Sequence, residues 1–205
     1  MIADAIIEVL NYIGIIAFAV SGALKAGEKG MDLLGFIVLG FSTALAGGII
    51  RDVLLGRLPP VNITSVPYQL TAVAAAIVTF VFYDKVSRHR DVVLYPDAVG
   101  LGAFAAIGAD VAFRSGLNPL AVMAMAAVTA AGGGVVRDVL AAEIPLVLRR
   151  EVYATAAAVG GGLYMILYYM FGRETALLGT AAIVVALRLA SLHYGWELPK
   201  VKNTA

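Results

Sequence analysis

Long apolar stretches, joined by short polar connections, make up almost the whole chain. Seven of them are long enough to cross a bilayer, because a spanning helix needs about 20 apolar residues. Their apolar residues are continuous, which predicts helices, whereas the strands of a membrane barrel would alternate apolar and polar residues. The predicted spans are residues 3–24, 33–55, 66–83, 96–113, 119–141, 152–171 and 175–194.

The composition supports lipid as the solvent of this chain. Hydrophobic residues make up 61% and charged residues only 14%, whereas a soluble domain has about 25% charged residues. Cysteine is absent, which excludes disulfides and thiol chemistry, and no phosphate-binding loop or metalloprotease motif is present. We therefore predict no catalytic residue, no metal, no cofactor and no nucleic-acid partner, and we expect membrane lipid to surround the chain.

The sequence repeats itself with an offset of 86 residues, from about residues 14–59 onto 100–145. The most specific match is the block G-G-x-x-R-D-V-L at 47–54 and 133–140, followed in both copies by a proline seven residues after the aspartate. Three spans in each half is an odd number, so the second half must have the opposite orientation in the membrane. The predicted fold is an all-α polytopic membrane protein with one transmembrane domain: two inverted three-helix repeats, at about 3–84 and 95–171, and a seventh helix at about 175–194.

Glycine clusters lie within the second span of each half. Inverted repeats place their binding or conduction sites near the pseudo-two-fold axis, often at interrupted helices. Glycine costs about 1 kcal/mol relative to alanine inside a helix, so these positions predict an interruption, a kink, a close helix contact or a hinge. They are Gly47, Gly48, Gly132, Gly133 and Gly134.

Each glycine cluster is followed by an Arg-Asp pair, Arg51 with Asp52 and Arg137 with Asp138. A charge at the bilayer centre costs about 2.5–3.5 kcal/mol, so the depth of these arginines decides their meaning. In a straight second span Arg51 lies about 27 Å from the start, where it would snorkel to the far interface. Alternatively, the glycines redirect both ends into the bundle, and the arginines face a water-filled path.

Other polar residues inside the spans are candidate pore or gate positions. Asp110 has the apolar Leu24 as its repeat mate and is either an ion contact or a helix-end carboxylate that reaches outside water. Ser21, Ser42, Thr43 and Thr129 either line a path for cations or bond their own helix backbone, as hydroxyls in membrane helices often do.

Lysine and arginine are distributed unequally between the two sides, which predicts the orientation because cytoplasmic loops are enriched in them. The N-terminus is then outside and the C-terminus in the cytoplasm of a multi-pass cell-membrane protein. Near the membrane surfaces we expect Arg188 to snorkel to cytoplasmic headgroups and Tyr164 to belong to an interfacial belt or packing stripe. The predicted cytoplasmic side carries Lys25, Lys29, Lys85, Arg88, Arg90, Arg149, Arg150, Lys200 and Lys202, and the other side Arg57, Arg114 and Arg173.

Taken together, the seven spans, the three-plus-three repeat, the outside N-terminus and the duplicated glycine-Arg-Asp block resemble the prokaryotic branch of the trimeric intracellular cation (TRIC) channels. The resemblance covers nearly the whole chain. It implies a homotrimer in which each subunit has its own pore for potassium and other monovalent cations. It also implies second and fifth helices that kink at Gly47, Gly48, Gly133 and Gly134 and line the pore with the first and fourth, with Arg51 and Arg137 as the matching charged positions.

The leading hypothesis is therefore a monovalent cation channel with a potassium preference. Related bacterial chains with the same repeat have also been classed as glycine transporters. A secondary transporter of a small amino acid such as glycine is therefore the alternative, with the same architecture and alternating access.

Overall fold

Helices form all of the regular structure in the described part of the chain. The computed structural model describes residues 1–87, 92–149 and 152–196. Two helices are a single turn, α3 (Val61–Thr64) and α7 (Leu146–Arg149). The long helices are α1 (Ile2–Glu28), α2 (Leu33–Leu54), α4 (Val66–Val86), α5 (Leu94–Arg114), α6 (Pro119–Leu140), α8 (Ala154–Phe171) and α9 (Arg173–Tyr194).

The seven long helices have the length and composition to span a membrane. They contain 18 to 27 residues, or about 27–40 Å at 1.5 Å per residue, and the hydrocarbon core is about 30 Å thick. The prediction of a seven-helix, multi-pass membrane protein is thus confirmed. Because four residues are too few to show a periodic pattern, the sequence did not predict α3 and α7.

The fourth spanning helix, α5, lies at the centre of the fold. In its most apolar window 78% of the residues are buried, against 22% in α4 and 28% in α8. Helices α1, α2, α5 and α6 contact one another, while α9 packs on α5 and α8. Phe18 and Phe104, which are repeat mates, are both buried and pack with ring centroids 5.4 Å apart. The core is therefore built around the contact between equivalent helices of the two halves.

The turns that connect the first two helices of each half are closely similar. Asp32 caps α2 by accepting a hydrogen bond from the amide of Gly35 (2.9 Å), and its repeat mate Asn118 caps α6 in the same way (3.0 Å). Gly30 and Gly116 precede these caps with φ values of 66° and 76°, a left-handed conformation that glycine adopts at little cost.

The segments after α2 and α6 also share one backbone design. The carbonyl oxygens of Asp52 and Asp138 each accept a 2.8 Å hydrogen bond from the amide five residues further on. Gly56 and Ala142 follow with φ values of 66° and 55°. Alanine seldom adopts a positive φ, so the second copy retains a turn that glycine makes more easily.

The glycine blocks of α2 and α6 lie where these two helices cross. A methyl group added at Gly47 would be 2.2 Å from the carbonyl oxygen of Thr129, and one at Gly133 would be 2.1 Å from that of Thr43. Both helices run unbroken through their glycines. The predicted interruption is therefore wrong, and a close helix contact is what these glycines provide. A bend of the unbroken helix axis stays a prediction.

Part of the predicted charge asymmetry lies outside the described residues. Arg88, Arg90, Arg150, Lys200 and Lys202 belong to that part of the chain.

Candidate functional site: buried arginines and an outer cavity

Both Arg-Asp pairs are buried within the helix bundle. The exposed fraction is 5% for Arg51 and 0% for Arg137. In each pair the arginine Nε donates to the Oδ1 of the following aspartate, at 2.9 Å in the first half and 2.8 Å in the second. The interpretation that these arginines snorkel to the interface is wrong, because the protein itself surrounds them. Asp52 and Asp138 are local partners, as the sequence suggested.

The second oxygen of each aspartate holds the loop that follows. Oδ2 of Asp52 accepts from the amide of Val61 (3.1 Å), at the start of α3, and Oδ2 of Asp138 accepts from the amide of Leu146 (2.7 Å), at the start of α7. Each aspartate therefore connects the buried arginine to a single-turn helix. Because one aspartate oxygen binds the arginine and the other binds the loop amide, each aspartate fixes the position of both.

Arg137 lies at the centre of a buried polar cluster. This cluster is in the half of the bundle that contains the C-terminal end of α1. The Nη1 of Arg137 donates to Asp97 of α5 and to the Ser21 hydroxyl of α1, the latter at 2.6 Å. The Ser21 hydroxyl in turn donates to the carbonyl of Val93 (3.3 Å). Arg137, Asp97 and Ser21 all have an exposed fraction of 0%. We call Arg137, Asp138, Asp97 and Ser21 the inner cluster.

A second buried arginine lies beside the inner cluster. The guanidinium of Arg188 is 4.8 Å from the centre of the Tyr153 ring, and its Nη1 donates to the carbonyl of Val152 (3.3 Å). Arg188 is only 1% exposed. The expectation that Arg188 snorkels to headgroups is therefore wrong, because a cation–π contact and hydrogen bonds hold it inside the bundle.

Arg51 faces an open polar cavity of about 260 Å³ at the opposite end of the bundle. We call it the outer cavity. Its walls come from α1, α2, α4, α5 and the α3 region, and include Glu8, Asn11, Arg51, Arg57, Asn62 and Ile107. A neighbouring cavity of about 340 Å³ shares Asp4, Ile7, Arg57 and Val111 with it and extends to Arg114 and Arg173. Because they share these residues, the two cavities form one polar vestibule, and Arg51 lies in the wall of its outer-cavity part.

Asp110 is not a free carboxylate. Arg173 binds both of its oxygens, from Nε at 2.7 Å and Nη2 at 2.9 Å, and the Tyr164 hydroxyl donates to Oδ1 at 2.7 Å. Arg173 also reaches Asp4 of α1 at 2.8 Å. Asp110 is 1% exposed and Tyr164 is fully buried. Asp110 thus reaches an arginine rather than outside water, and Tyr164 belongs to this network rather than to an interfacial belt.

Two of the four hydroxyl candidates bond their own helix, whereas Ser21 belongs to the inner cluster. The Thr43 hydroxyl donates to the carbonyl of Leu39 (2.6 Å), and the Thr129 hydroxyl donates to that of Met125 (2.7 Å). Ser42 is half-buried on α2. Among the residues that the structure describes, no group of three His, Asp or Glu side chains is arranged to hold a metal ion.

Sequence reasoning did not single out Asp97 or Arg173 as site residues. It also did not identify Ser21 as a hydrogen-bond partner of Arg137. Asp97 lies in the first turn of α5, where a carboxylate is common, and Arg173 was counted only as a loop charge. The repeat contained one signal: Asp97 is the mate of Asn11, so one half has a carboxylate where the other has a neutral amide.

These features define a class: a seven-helix membrane protein with an inverted repeat, a buried arginine in each half and a polar vestibule inside the subunit. A family model described as "Glycine transporter" matches residues 8–84 and 94–169. The chain is 40% identical over 192 residues to a UPF0126 membrane protein of Deinococcus radiodurans, covering 93% of this chain and 89% of the relative. It is 38% identical to the UPF0126 inner membrane protein YadS of Escherichia coli K12, covering 93% of each.

Solved structures of TRIC channels are similar along the whole chain. One, from work on conductance through TRIC cation channels, is 49% identical with a TM-score of 0.88 and covers 97% of this chain and 98% of its own. A prokaryotic TRIC channel crystallised in 0.5 M KCl is 42% identical with a TM-score of 0.90, covering 95% and 99%. The TRIC orthologue from Rhodobacter sphaeroides is 39% identical with a TM-score of 0.87, covering 93% and 98%. The chain belongs to the prokaryotic TRIC and UPF0126 family.

Proposed function

We propose that the protein is a monovalent cation channel that conducts potassium through a pathway inside each subunit. The observation that carries this proposal is the polar vestibule that enters the bundle between the two inverted halves and ends at Arg51. The similarity to TRIC cation channels at 39–49% identity supports the same conclusion. Its polar walls can replace part of the hydration shell of a cation through several weak contacts, as conduction requires.

The proposed pathway continues from Arg51, past the Phe18–Phe104 pair, to the inner cluster. The phenyl rings and Arg137 are fully or almost fully buried, so this conformation is closed. Opening requires the inner cluster to separate, since Arg137 bonds α1 and α5 at once through Ser21 and Asp97. Arg137 with its two carboxylates is therefore the proposed gate, and the contact of α2 with α6 at Gly47 and Gly133 is the proposed pivot.

Several arginines along this pathway are paired with carboxylates, which reduces their repulsion of cations, whereas Arg57 and Arg114 make no ion pair with a described residue. Asp52 offsets the charge of Arg51, and Asp97 with Asp138 more than offsets that of Arg137. In the vestibule, Asp110 and Asp4 bind Arg173. Pairing of this kind lowers the electrostatic barrier to a cation in a narrow, low-dielectric passage.

We also propose that the subunit forms a homotrimer with its N-terminus outside and its C-terminus in the cytoplasm. Lys25, Lys29, Lys85 and Arg149, which support this orientation, lie at or beyond the helix ends of one side. Crosslinking and mass measurement in detergent test the assembly. A monomer or a dimer would contradict the trimer, and cysteine labelling of single loops from outside cells tests the orientation.

Potassium release from liposomes tests the proposed gate. Purified protein in potassium-loaded vesicles should release potassium when diluted into a medium with an impermeant large cation. Asp97→Asn weakens the inner cluster, so we expect release to become several-fold faster. Asp84→Asn, an exposed carboxylate at the end of α4, serves as the control and should match wild type. Slower release from Asp97→Asn would contradict a gate at the inner cluster.

The second candidate is a carrier of a small amino acid, which the description of the matching family model favours. A carrier would show saturable uptake of glycine, with competition between labelled and unlabelled glycine, and no unitary currents.

A further inference from the structure

The outer and inner arginines have the same position in their repeats but different sets of partners. Arg137 binds two carboxylates, Asp138 and Asp97, and the hydroxyl of Ser21. Arg51 binds only Asp52, through Nε at 2.9 Å. Within the described residues, neither terminal nitrogen of Arg51 donates a hydrogen bond, although the residue is only 5% exposed. Buried polar groups usually have hydrogen-bond partners, so these nitrogens of Arg51 lack an acceptor.

The offset of 86 residues explains why the acceptor is missing. The mate of Asp97 is Asn11, and the mate of Ser21 is Ile107. Both Asn11 and Ile107 line the outer cavity beside Arg51. The first half therefore has the frame of the inner cluster without the carboxylate that completes it, and a cavity of about 260 Å³ occupies that place.

The same cavity contains two exposed side chains of opposite charge that make no ion pair with a described residue. Glu8 accepts only a hydrogen bond from the Tyr68 hydroxyl, at 3.2 Å. Arg57 makes no ion pair with any described residue. The remaining carboxylate that lines this cavity is already paired, since Asp4 binds Arg173 and the N-terminal amine. The free groups are thus guanidinium donors and one carboxylate.

We propose that the outer cavity is a binding site for a small carboxylate ligand, which takes at Arg51 the place that Asp97 takes at Arg137. The terminal nitrogens of Arg51 bind the ligand carboxylate in the two-point geometry that arginine favours. Arg57 contributes a second positive charge, and the Asn11 amide donates a further hydrogen bond. Glu8 offers a position for an ammonium group, so an α-amino acid as small as glycine uses both ends of the site. The choice of glycine as ligand rests on the carrier candidate of the proposed function, and because the outer cavity is also the entrance of the proposed cation pathway, binding is measured separately from conduction.

Calorimetric titration of the purified, detergent-solubilised protein tests the site. The probes are glycine, acetate and ethanolamine, which carry respectively both groups, the carboxylate alone and the ammonium alone. We expect glycine to bind with a dissociation constant of about 1 mM, acetate about tenfold more weakly because it lacks the charged contact with Glu8, and ethanolamine to give no saturable heat. Equal affinities for glycine and acetate would assign the site to simple carboxylates. No saturable heat from either would overturn the proposal.

Asn11→Asp is the decisive variant because it supplies the missing carboxylate from the protein. The inner cluster shows that this frame accommodates an aspartate, so the variant is expected to fold and to lose the binding of both ligands. Glu8→Gln should reduce glycine affinity to that of acetate, and Lys85→Gln, at the other end of α4, should bind like wild type. Binding that persists in Asn11→Asp would overturn the proposal, whatever the variant Arg51→Gln does.

Discussion

At the scale of single residues, two of the buried or half-buried arginines are paired with carboxylates on other helices. Arg137 joins α6 to α5 and α1, and Arg173 joins α9 to α5 and α1. Removing one member of a buried pair leaves a desolvated charge, which costs more than the pair itself contributes. The sequence identified Arg51, Arg137, Asp110 and their neighbouring aspartates as unusual. It could not identify their partners, because Asp97 and Arg173 lie 40 and 63 positions away from the groups they bind.

Replacement of Asp97 by asparagine should destabilise the protein by about 2–3 kcal/mol, because Arg137 then retains only Asp138 as a charged partner. The melting temperature of the protein in detergent measures this change. The exposed Asp84→Asn variant should stay within about 0.5 kcal/mol of wild type. If the two variants melt alike, Asp97 does not stabilise Arg137.

Arg173 and Asp110 should be energetically coupled. Arg173→Gln leaves Asp110 buried without a cation, whereas Arg173→Gln with Asp110→Asn leaves no charge uncompensated. We expect the double variant to be more stable than the sum of the single changes by about 1–3 kcal/mol. Denaturation of the four proteins under one condition gives the coupling energy. Additive effects would show that the bidentate pair contributes little.

At the scale of helices, the fold depends on how closely the two halves approach. The contact of α2 with α6 is made by glycines whose missing side chains would overlap carbonyl groups of the facing helix. Hydrophobic runs allowed all the long helices to be predicted, whereas the caps at Asp32 and Asn118 were identified only in the structure. The meaning of the glycine blocks could not be predicted, because a close contact and an interruption have the same sequence pattern. The close contact is recognised only from the structure, where the carbonyl groups of Thr43 and Thr129 lie against the glycines of the facing helix.

Gly47→Ala and Gly133→Ala should each destabilise the protein by about 1–3 kcal/mol, because backbone of the facing helix must move to admit the methyl group. Gly162→Ala is the matched control in α8. A methyl group there would be 3.8 Å from the Met123 sulfur, and the alanine should stabilise the helix by up to about 1 kcal/mol. Opposite shifts in melting temperature are therefore expected. A stabilising Gly47→Ala would contradict the close contact.

The connection between α6 and α7 should release from α1 in acid. Glu143 binds Lys29 at 2.7 Å and Lys25 at 3.1 Å. The hydrogen bond from Lys29, with a smaller contribution from Lys25, lowers the pKa of Glu143 below its ordinary value of 4.5 although burial opposes this. Because the folded-state pKa is the lower one, the stabilisation is present above pH 4.5 and is lost as the pH falls through the folded-state value.

Thermal unfolding of Glu143→Gln between pH 3 and pH 7 measures this effect. The variant should be less stable than wild type at neutral pH, and the difference should shrink toward acid pH. Glu174→Gln, at an exposed position in the first turn of α9, should show a constant difference. A constant difference for Glu143→Gln would contradict the assignment.

At the scale of the whole molecule, the two halves share one backbone design but differ in the surroundings of their buried arginines. Turns, caps, aspartate contacts and aromatic mates are shared, whereas one arginine is enclosed by carboxylates and the other opens to a cavity. The 86-residue offset made the repeat and its inversion predictable, and the loop charges made the orientation a testable prediction. The difference between the two copies could not be predicted as function, since Asn11 and Asp97 acquire their meaning only when an arginine is placed against each.

Single-channel recording in planar bilayers tests the central claim of cation conduction most directly. Purified wild-type protein should give step-like potassium currents that persist when chloride is replaced by a large anion and that vanish when potassium is replaced by a large organic cation. Asp97→Asn should increase the fraction of time spent open and lower the unitary current, because Arg137 then has less negative charge beside it. The absence of unitary potassium currents, together with saturable uptake of glycine into vesicles by the same preparation, would contradict the channel and favour a carrier.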